Sequence, residues 1–506
     1  MIFEIFFFIF ITFFIRLFPR LIRPLKIDTD TWYHISSVNS IIKNKYKIPK
    51  CNFGFILGGN YDYPFFAHWL TSLFVGSKIL KLEKYISPLV DTIYITIGFF
   101  YLKFVINFYS IEIDNFTFKY FLLMIFSLSM IKISTGPRIY SFTPRIFGEL
   151  FIFIFFISIH LYFITNNEYF IFLAILFSAL ALNTSTFGSQ VLILSSCLLS
   201  ILLSSFIPFF SFILSIVFAY IMSFGHYKNI LLQQLKYSYK YATYGQFNHP
   251  AVKNRNKIKQ YVLFFKYLKN REFKLAYSVF MSDLTFINIF YKNIDILVAF
   301  FVLIFAKNVD IFIFSMFVAF FIIFILTSFK PFLFLGESDR YLDYLVVFSV
   351  FIMIMYLPTS YLYIIILFQV VLYLFTLYIF FNSSDNYGKD FIEIMNFIKD
   401  NIKNKNDYVI HGILGAYINY PLSVLTGLKS LAIETNYVFD LAMNKKIMPN
   451  DRIYTSDFEY LYNEYGVNII VANKKYLYSD MKYNFDRFEV LYENDEYIAY
   501  IRKNND

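Results

Sequence analysis

Long apolar windows, separated by polar breaks of very unequal length, fill the chain as far as residue 381. They fall at 1–18, 87–109, 117–133, 147–165, 168–185, 190–206, 207–224, 293–307, 309–328, 341–357 and 360–381. Most are close to the roughly 17–25 residues needed to cross the hydrocarbon core of a bilayer, and together they predict about eleven transmembrane helices. Taken alternately, the connections sort by side. Those at 110–116, 166–167, 207, 306–310 and 357–361 are tiny, whereas 19–86, 134–146, 186–189, 225–292, 329–340 and everything past 381 fall together. Nearly all the polar residues of interest lie on that second side. From 382 to 506 the character changes to polar and charged. A helical stretch, an apolar strand at "VNIIVAN" and a closing hairpin at "FEVLYENDEYIAYIRK" predict a small soluble α/β domain there.

Composition agrees with the pattern. The 506 residues are 58% hydrophobic with a mean hydropathy of +0.56, which excludes an ordinary soluble globular domain. The opening "MIFEIFFFIFITFFIRLF" is too long and too aromatic for a signal-peptide core and has no small-residue cleavage site, so it reads as a retained first span. The net charge is +10. The Lys and Arg residues lie mostly in loops that flank apolar windows, which points to membrane lipids or phosphate-bearing substrates and not to nucleic acid. Cys51 falls in a loop and Cys197 in a predicted span, so no disulfide is expected. Counting Lys and Arg alone would place the long loops in the cytoplasm, although the rule weakens for long loops.

Four stretches carry candidate chemistry. In "KIDTDTWYHISS" (26–37), Asp30 precedes a helical run and suits an N-cap. Ile35, Val38, Ile41 and Ile42 then make one stripe, as in an amphipathic helix lying at the membrane interface. His34 follows Asp30 by one turn and Asp28 precedes it by two residues, so three titratable groups could meet at the bilayer edge; a capped, solvated loop is the plainer alternative. In "GGNYDYPFFAHWLTSLF" (58–74), a turn leads to Asp62, Pro64 in the first turn of a helix, then His68 and Trp69. The plainer reading is an interfacial helix with an aromatic anchor. "STGPRIYSFTPRIFGELF" (134–151) offers Arg138, Arg145 and Glu149 at span edges, either as snorkelling anchors or as forked donors for a phosphate. "KPFLFLGESDRYLDY" (330–344) places Lys330, Glu337, Asp339, Arg340, Tyr341 and Asp343 before a span. The basic, tyrosine-rich loop 225–292 reads as a lid or as a solvated face.

The order "DTDTWYH", about thirty residues, then "YDYPFFAHWL", all after a first span, resembles the GT-C superfamily of integral-membrane glycosyltransferases, which includes oligosaccharyltransferase catalytic subunits and protein mannosyltransferases. The resemblance implies a mainly α, polytopic GT-C-like membrane domain over 1–381. It also implies an extracytoplasmic α/β domain over 382–506, and long loops outside the cell membrane. It implies transfer of a sugar from a polyprenyl-phosphate-linked donor to a glycan, lipid or protein acceptor, with inversion. Asp28 and Asp30 match the family's acidic position, as base or as ligands of Mg2+ or Mn2+. Arg138, Arg145, Arg340 and the adjoining Tyr341 would hold the lipid phosphate, while His34, Asp62, His68 and Glu337 would orient groups. The "WWDYG" acceptor-reading motif of oligosaccharyltransferases is missing, since Trp32 and Trp69 are the only tryptophans. A transporter or flippase of lipid-linked glycans is the alternative; few charges inside the apolar windows and no visible repeat speak against it.

Overall fold

The computed structural model describes residues 2–24, 27, 29–130, 142–245, 257–276, 279, 293–336, 338–382, 387–414, 419–449, 454–477 and 483–503. In chain order the main helices are α1 (Ile2–Ile22), α2 (Thr29–Lys43), α3 (Phe66–Val75), α4 (Ile79–Phe108), α5 (Phe116–Met130), α6 (Pro144–Thr165), α7 (Tyr169–Leu182), α8 (Thr186–Leu202), α9 (Ile207–Met222), α10 (Tyr227–Lys240), α11 (Lys257–Lys269), α12 (Ile294–Phe305), α13 (Ile311–Thr327), α14 (Val346–Tyr356), α15 (Thr359–Asn382), α16 (Lys389–Asn401), α17 (Tyr420–Thr426) and α18 (Phe458–Tyr465). The strands are β1 (Val409–Ile413), β2 (Lys429–Ser430), β3 (Val467–Asn473), β4 (Phe488–Glu493) and β5 (Tyr497–Arg502). The chain is thus mainly helical with a small C-terminal sheet. It divides into two compact units. One comprises Met1–Arg23, Glu83–Asn229 and Gly245–Ser383; the other comprises Pro24–Leu82, Ile230–Tyr244 and Ser384–Asp506.

The first unit is an all-helical bundle. Each of the eleven apolar windows carries a described helix. Among the described residues, length and apolarity suffice for crossing a membrane in three segments, Ile2–Ile22, Phe66–Phe108 and Pro144–Thr165, and in a fourth if the bent pair Ile207–Met222 and Tyr227–Gly245 counts as one. Six more apolar helices are shorter, among them Tyr169–Leu182 and Ile311–Thr327. Local chemistry sets several helix starts. Thr143, in extended backbone, accepts the Arg145 N–H at 3.4 Å, and Pro144 takes the first helical position of α6, where its missing N–H costs nothing. Asp310 caps α13 by accepting the N–H groups of Phe312 and Ile313 at 2.9 and 3.0 Å. The same carboxylate accepts the Tyr109 hydroxyl and lies 3.2 Å from Nε2 of His160, whose Nδ1 meets Tyr101 Oη at 2.5 Å. Outward positions are large and apolar, Phe3, Phe224 and Phe305 among them. Among the described residues, that much exposed Phe and Ile fits a lipid-facing surface better than a watery one.

The second unit is built on the sheet, in the order β2-β1-β3-β5-β4. β1 pairs in parallel with β2 and β3, while β3–β5 and β4–β5 are antiparallel, so the sequence-predicted strand and closing hairpin are both present. The two-residue strand β2 would leave an open edge, but the first loop covers it. Ser430 N–H donates to Gly54 O at 2.8 Å, Ile56 N–H to Ser430 O at 3.1 Å and Leu57 N–H to Ala432 O at 3.0 Å. Ile56 and Leu57 then pack on a core that includes Leu431, Ile433, Val467 and Ile470.

Helix packing in the bundle leans on small residues. A β-carbon at Gly98 of α4 would lie 2.5 Å from Tyr120 Oη and 3.2 Å from a Val347 methyl. Gly98→Val should therefore cost about 1–3 kcal/mol through overpacking, read as a lower thermal unfolding midpoint of the purified protein. Gly388→Ala, whose new carbon meets nothing closer than Glu496 at 3.7 Å, should change the midpoint little.

Candidate active site

The candidates on the first loop sit in the polar core of the second unit. The sequence predicts α2 as a half-wet interfacial helix; instead every residue from Thr31 to Val38 is buried. The helix is a core element that packs on α3 and α17. It also starts at Thr29, which puts Asp30 inside the first turn and exposed, not at the cap.

The centre of this core is a carboxyl the sequence reading passed over. Glu434 is 2% exposed. Tyr33 Oη donates to its Oε2 at 2.7 Å and the Asn52 N–H to its Oε1 at 2.9 Å. Burial pushes the Glu434 pKa up to about 8 against these two donors, with the nearby Asp62 charge adding to the rise. The Tyr33 phenol is pushed well above its ordinary range by burial and by the Glu434 charge. Asn52 in turn ties the loop together: its Oδ1 accepts Ser36 Oγ at 2.8 Å, Ser40 Oγ at 3.0 Å and the Gly54 N–H at 3.1 Å. Ser36 and Ser40 are one helical turn apart, so α2 presents both to one amide.

Beside Glu434 runs a chain of side chains. His34 Nδ1 lies 3.0 Å from His68 Nε2, and His68 Nδ1 lies 2.7 Å from Tyr61 Oη. All three are at most 5% exposed. The ring of Tyr63 flanks both imidazoles at 5.7 and 5.6 Å, and Tyr33 flanks His34 at 5.4 Å. Asp62 accepts Tyr437 Oη at 2.9 Å on Oδ2, while Asn436 Nδ2 donates to its carbonyl at 3.0 Å. The structure therefore brings His34, Asp62 and His68 into one polar core and adds Tyr33, Asn52, Tyr61, Glu434, Asn436 and Tyr437.

Arg145, Arg340 and Tyr341 lie in the helical unit. Arg145 stands half-buried in the first turn of α6, four residues before the buried Glu149. Arg340 is half-buried on the short helix Ser338–Leu342. Tyr341 is fully buried, its hydroxyl donating to Leu335 O and its ring 4.9 Å from Phe187. Asp28, Arg138 and Glu337 lie outside the described residues. This unit also buries charges that the window count underrated. Arg16 and Arg20 sit one turn apart on α1, and Glu83 and Asp91 lie two turns apart on α4, with both acids close enough for their charges to act on Arg20. Arg16 Nη2 donates to Ile125 O at 3.3 Å, Arg20 Nη1 to Lys84 O at 3.2 Å, and Glu83 Oε2 accepts the Phe142 N–H at 3.2 Å.

Among the described residues no three His, Cys, Asp or Glu side chains converge to hold a metal ion.

Comparison with known proteins finds no matching protein-family profile and no matching curated protein. Among solved structures the fold is similar to that of archaeal oligosaccharyltransferase AglB from Archaeoglobus fulgidus, solved in complex with an inhibitory peptide and a dolichol-phosphate. The likeness covers 93% of this chain and 69% of that one, with a TM-score of 0.53 at 11% identity. The first-loop motifs resemble a group that includes oligosaccharyltransferase catalytic subunits, and the solved neighbour is an oligosaccharyltransferase by name, so the resemblance is met at the level of fold alone.

A carboxyl raised from 4.5 to about 8 on folding keeps a proton that the unfolded chain gives up. Its contribution to stability is fully present below pH 4.5 and is lost as the pH rises through 8. Glu434→Gln removes that titration and keeps an acceptor for Asn52. The unfolding midpoint of the wild type should fall across this range relative to the variant, and the two curves should stop diverging above about pH 9.

Proposed function

We propose that this chain is an integral-membrane glycosyltransferase. It takes a sugar from a polyprenyl-phosphate-linked donor and passes it, with inversion, to a glycan, lipid or protein hydroxyl at the outer face of the cell membrane. The observation that carries the reading is the fold likeness to AglB over nearly the whole chain. The acidic and histidine-bearing first loop, which shares a compact unit with the C-terminal residues, adds to it.

The chemistry assigns the parts. A polyprenyl chain keeps the donor in the bilayer, so transfer happens where lipid meets water; about eleven crossings with the long loops and residues 382–506 outside would provide that surface. A hydroxyl is a poor nucleophile and needs a proton acceptor. Asp28 and Asp30 are the carboxylates for that side, as base or as oxygen ligands for Mg2+ or Mn2+. The leaving phosphate gains charge, and Arg138, Arg145 and Arg340 are the forked donors to meet it. His34, Asp62, His68 and Glu337 orient the reacting groups, and Tyr341 joins the arginines at the lipid phosphate. The absence of the "WWDYG" motif turns the acceptor away from the peptide reading of an oligosaccharyltransferase.

A second reading, a transporter or flippase of lipid-linked glycans, is favoured by the buried Arg16, Arg20, Glu83 and Asp91 on α1 and α4. Charges inside a membrane often mark a transport path.

Purified protein in nanodiscs, given polyprenyl-phosphate glucose or mannose and a membrane extract as acceptor, should release polyprenyl phosphate. Asp28→Ala and Asp30→Ala should each lower the rate by about 100-fold, and Arg340→Ala should raise the KM for donor. Full turnover in both aspartate variants would end the assignment, and lipid translocation without turnover would favour the transporter. EDTA treatment reads the metal requirement directly. A Ser456→Cys variant should react with an impermeant maleimide added outside the cell; reaction only after lysis would reverse the topology.

A further inference from the structure

Two helices of the long connection after α9 are built inside out. On α10, Tyr227, Ile230 and Gln233 are buried and Tyr237 is half-buried, while Lys228, Leu232, Leu235, Lys236 and Tyr239 are exposed. Each set recurs at the helical period, so each occupies one face. The inner face meets C-terminal residues of the same compact unit. Gln233 Nε2 donates to Asn436 O at 3.1 Å, the Tyr237 ring lies 5.0 Å from that of Phe439, and Lys240 pairs with Asp440. A helix bathed in water turns its leucines inward and its glutamines outward. Here Leu235 is 60% and Tyr239 70% exposed. α11, in the helical unit, repeats the arrangement: Gln260 is buried, and Val262, Phe265, Lys266 and Lys269 face out.

Continuity and charge identify what covers these faces. An exposed apolar stripe of Phe210, Ile213, Val217, Ile221 and Phe224 runs along α9 and just past its end, and α10 starts three residues beyond Phe224. Three residues of chain reach about 11 Å at most, so α10 begins where that lipid-facing stripe stops. The charge is one-sided as well. From Gly225 to Arg271 the sequence has ten Lys and Arg and no Asp or Glu. A solvated face mixes both signs, whereas an acid-free basic segment with outward apolar side chains suits the headgroups of anionic lipids.

We propose that the outer faces of α10 and α11 lie in the headgroup layer of a bilayer and hold acidic phospholipids there. Leu232, Leu235, Val262 and Phe265 enter the acyl boundary, Tyr239 sits at headgroup level, and Lys228, Lys236, Lys266 and Lys269 meet the acidic headgroups. The connection is then neither a free lid nor a solvated face. The buried side of α10 is bonded to Asn436, two residues from Glu434, so the grip on the membrane also holds the segment at the centre of the polar core. The inference needs a membrane but no transfer activity, and it stands apart from the transferase reading.

The test uses the full-length chain with Cys51→Ser and Cys197→Ser, in nanodiscs of phosphatidylcholine and phosphatidylglycerol. Bimane is attached at Leu235→Cys or at Phe265→Cys. Brominated phospholipid should quench both labels and iodide in the water should quench neither. Iodide quenching without bromolipid quenching at either position overturns the proposal. At low salt and equal mole fraction, brominated phosphatidylglycerol should quench more than brominated phosphatidylcholine, with a local enrichment of about fivefold for each lysine. Lys228→Gln with Lys236→Gln should abolish that preference at position 235, and Lys266→Gln with Lys269→Gln at position 265. Salt at about 1 M, which screens charges beyond about 3 Å, should do the same in the parent. Equal quenching by the two lipids in the parent at low salt overturns the acidic-lipid assignment. Labels shielded from both quenchers, with Leu235→Cys cross-linking between copies, would make the face a contact between chains and overturn it too. The two labels report on helices of separate units, so misfolding of one variant leaves the other to decide.

Discussion

A carboxyl removed from water has to be met by donors, and Glu434 is met by two from the first loop. Tyr33 and Asn52 approach opposite oxygens of one buried group, and each is itself held by further bonds within the loop. Removing either donor would leave one oxygen of a buried carboxyl unmet, where the cost of an unmet polar group is about 1–3 kcal/mol and more for a charge. The loop conformation that positions Asp30, His34 and His68 is thus fixed by an acid that lies some four hundred residues further along the chain than Tyr33, at a separation of 401.

This explains why α2 is buried on all sides from Thr31 to Val38. One face meets α3 through the histidines, another meets α17 through Tyr33 and Tyr420, and Ser36 and Ser40 turn toward Asn52. A helix with so many polar residues would be a poor core element by composition. It serves as one because the side chains of Tyr33, His34, Ser36, Ser37 and Ser40 each find a partner.

The apolar windows were legible because membrane-length helices advertise themselves by composition alone, and a described helix occupies each. Whether every one crosses is a finer matter, since α7, α8, α12 and α13 are shorter than a full span. Asp30, His34, Asp62 and His68 were legible because polar residues clustered after an apolar run are conspicuous. Glu434 was not. It stands in "LAIETNY", a stretch that reads as an ordinary surface turn in a soluble tail. Only the third dimension brings Tyr33 and Asn52 to it. Periodicity misplaced α2 for a related reason: a stripe of Ile and Val shows one apolar face and cannot show that the opposite, polar face is also covered. Arg16 and Asp91 were visible as letters but looked incidental, each single in its own apolar window, while Arg20 and Glu83 fell in the long first connection, where charges are expected.

The pairing of Gly54–Leu57 with Ser430 and Ala432 has a consequence for biosynthesis. Gly54 and Ser430 are 376 residues apart. Synthesis proceeds at roughly 5–20 residues per second, so the first loop emerges tens of seconds before the strand that completes it. During that interval an unpaired backbone segment and a set of buried-type polar side chains wait at the membrane surface. A holding factor, or slow insertion of the intervening helices, would have to keep that segment from pairing with its neighbours on other nascent chains.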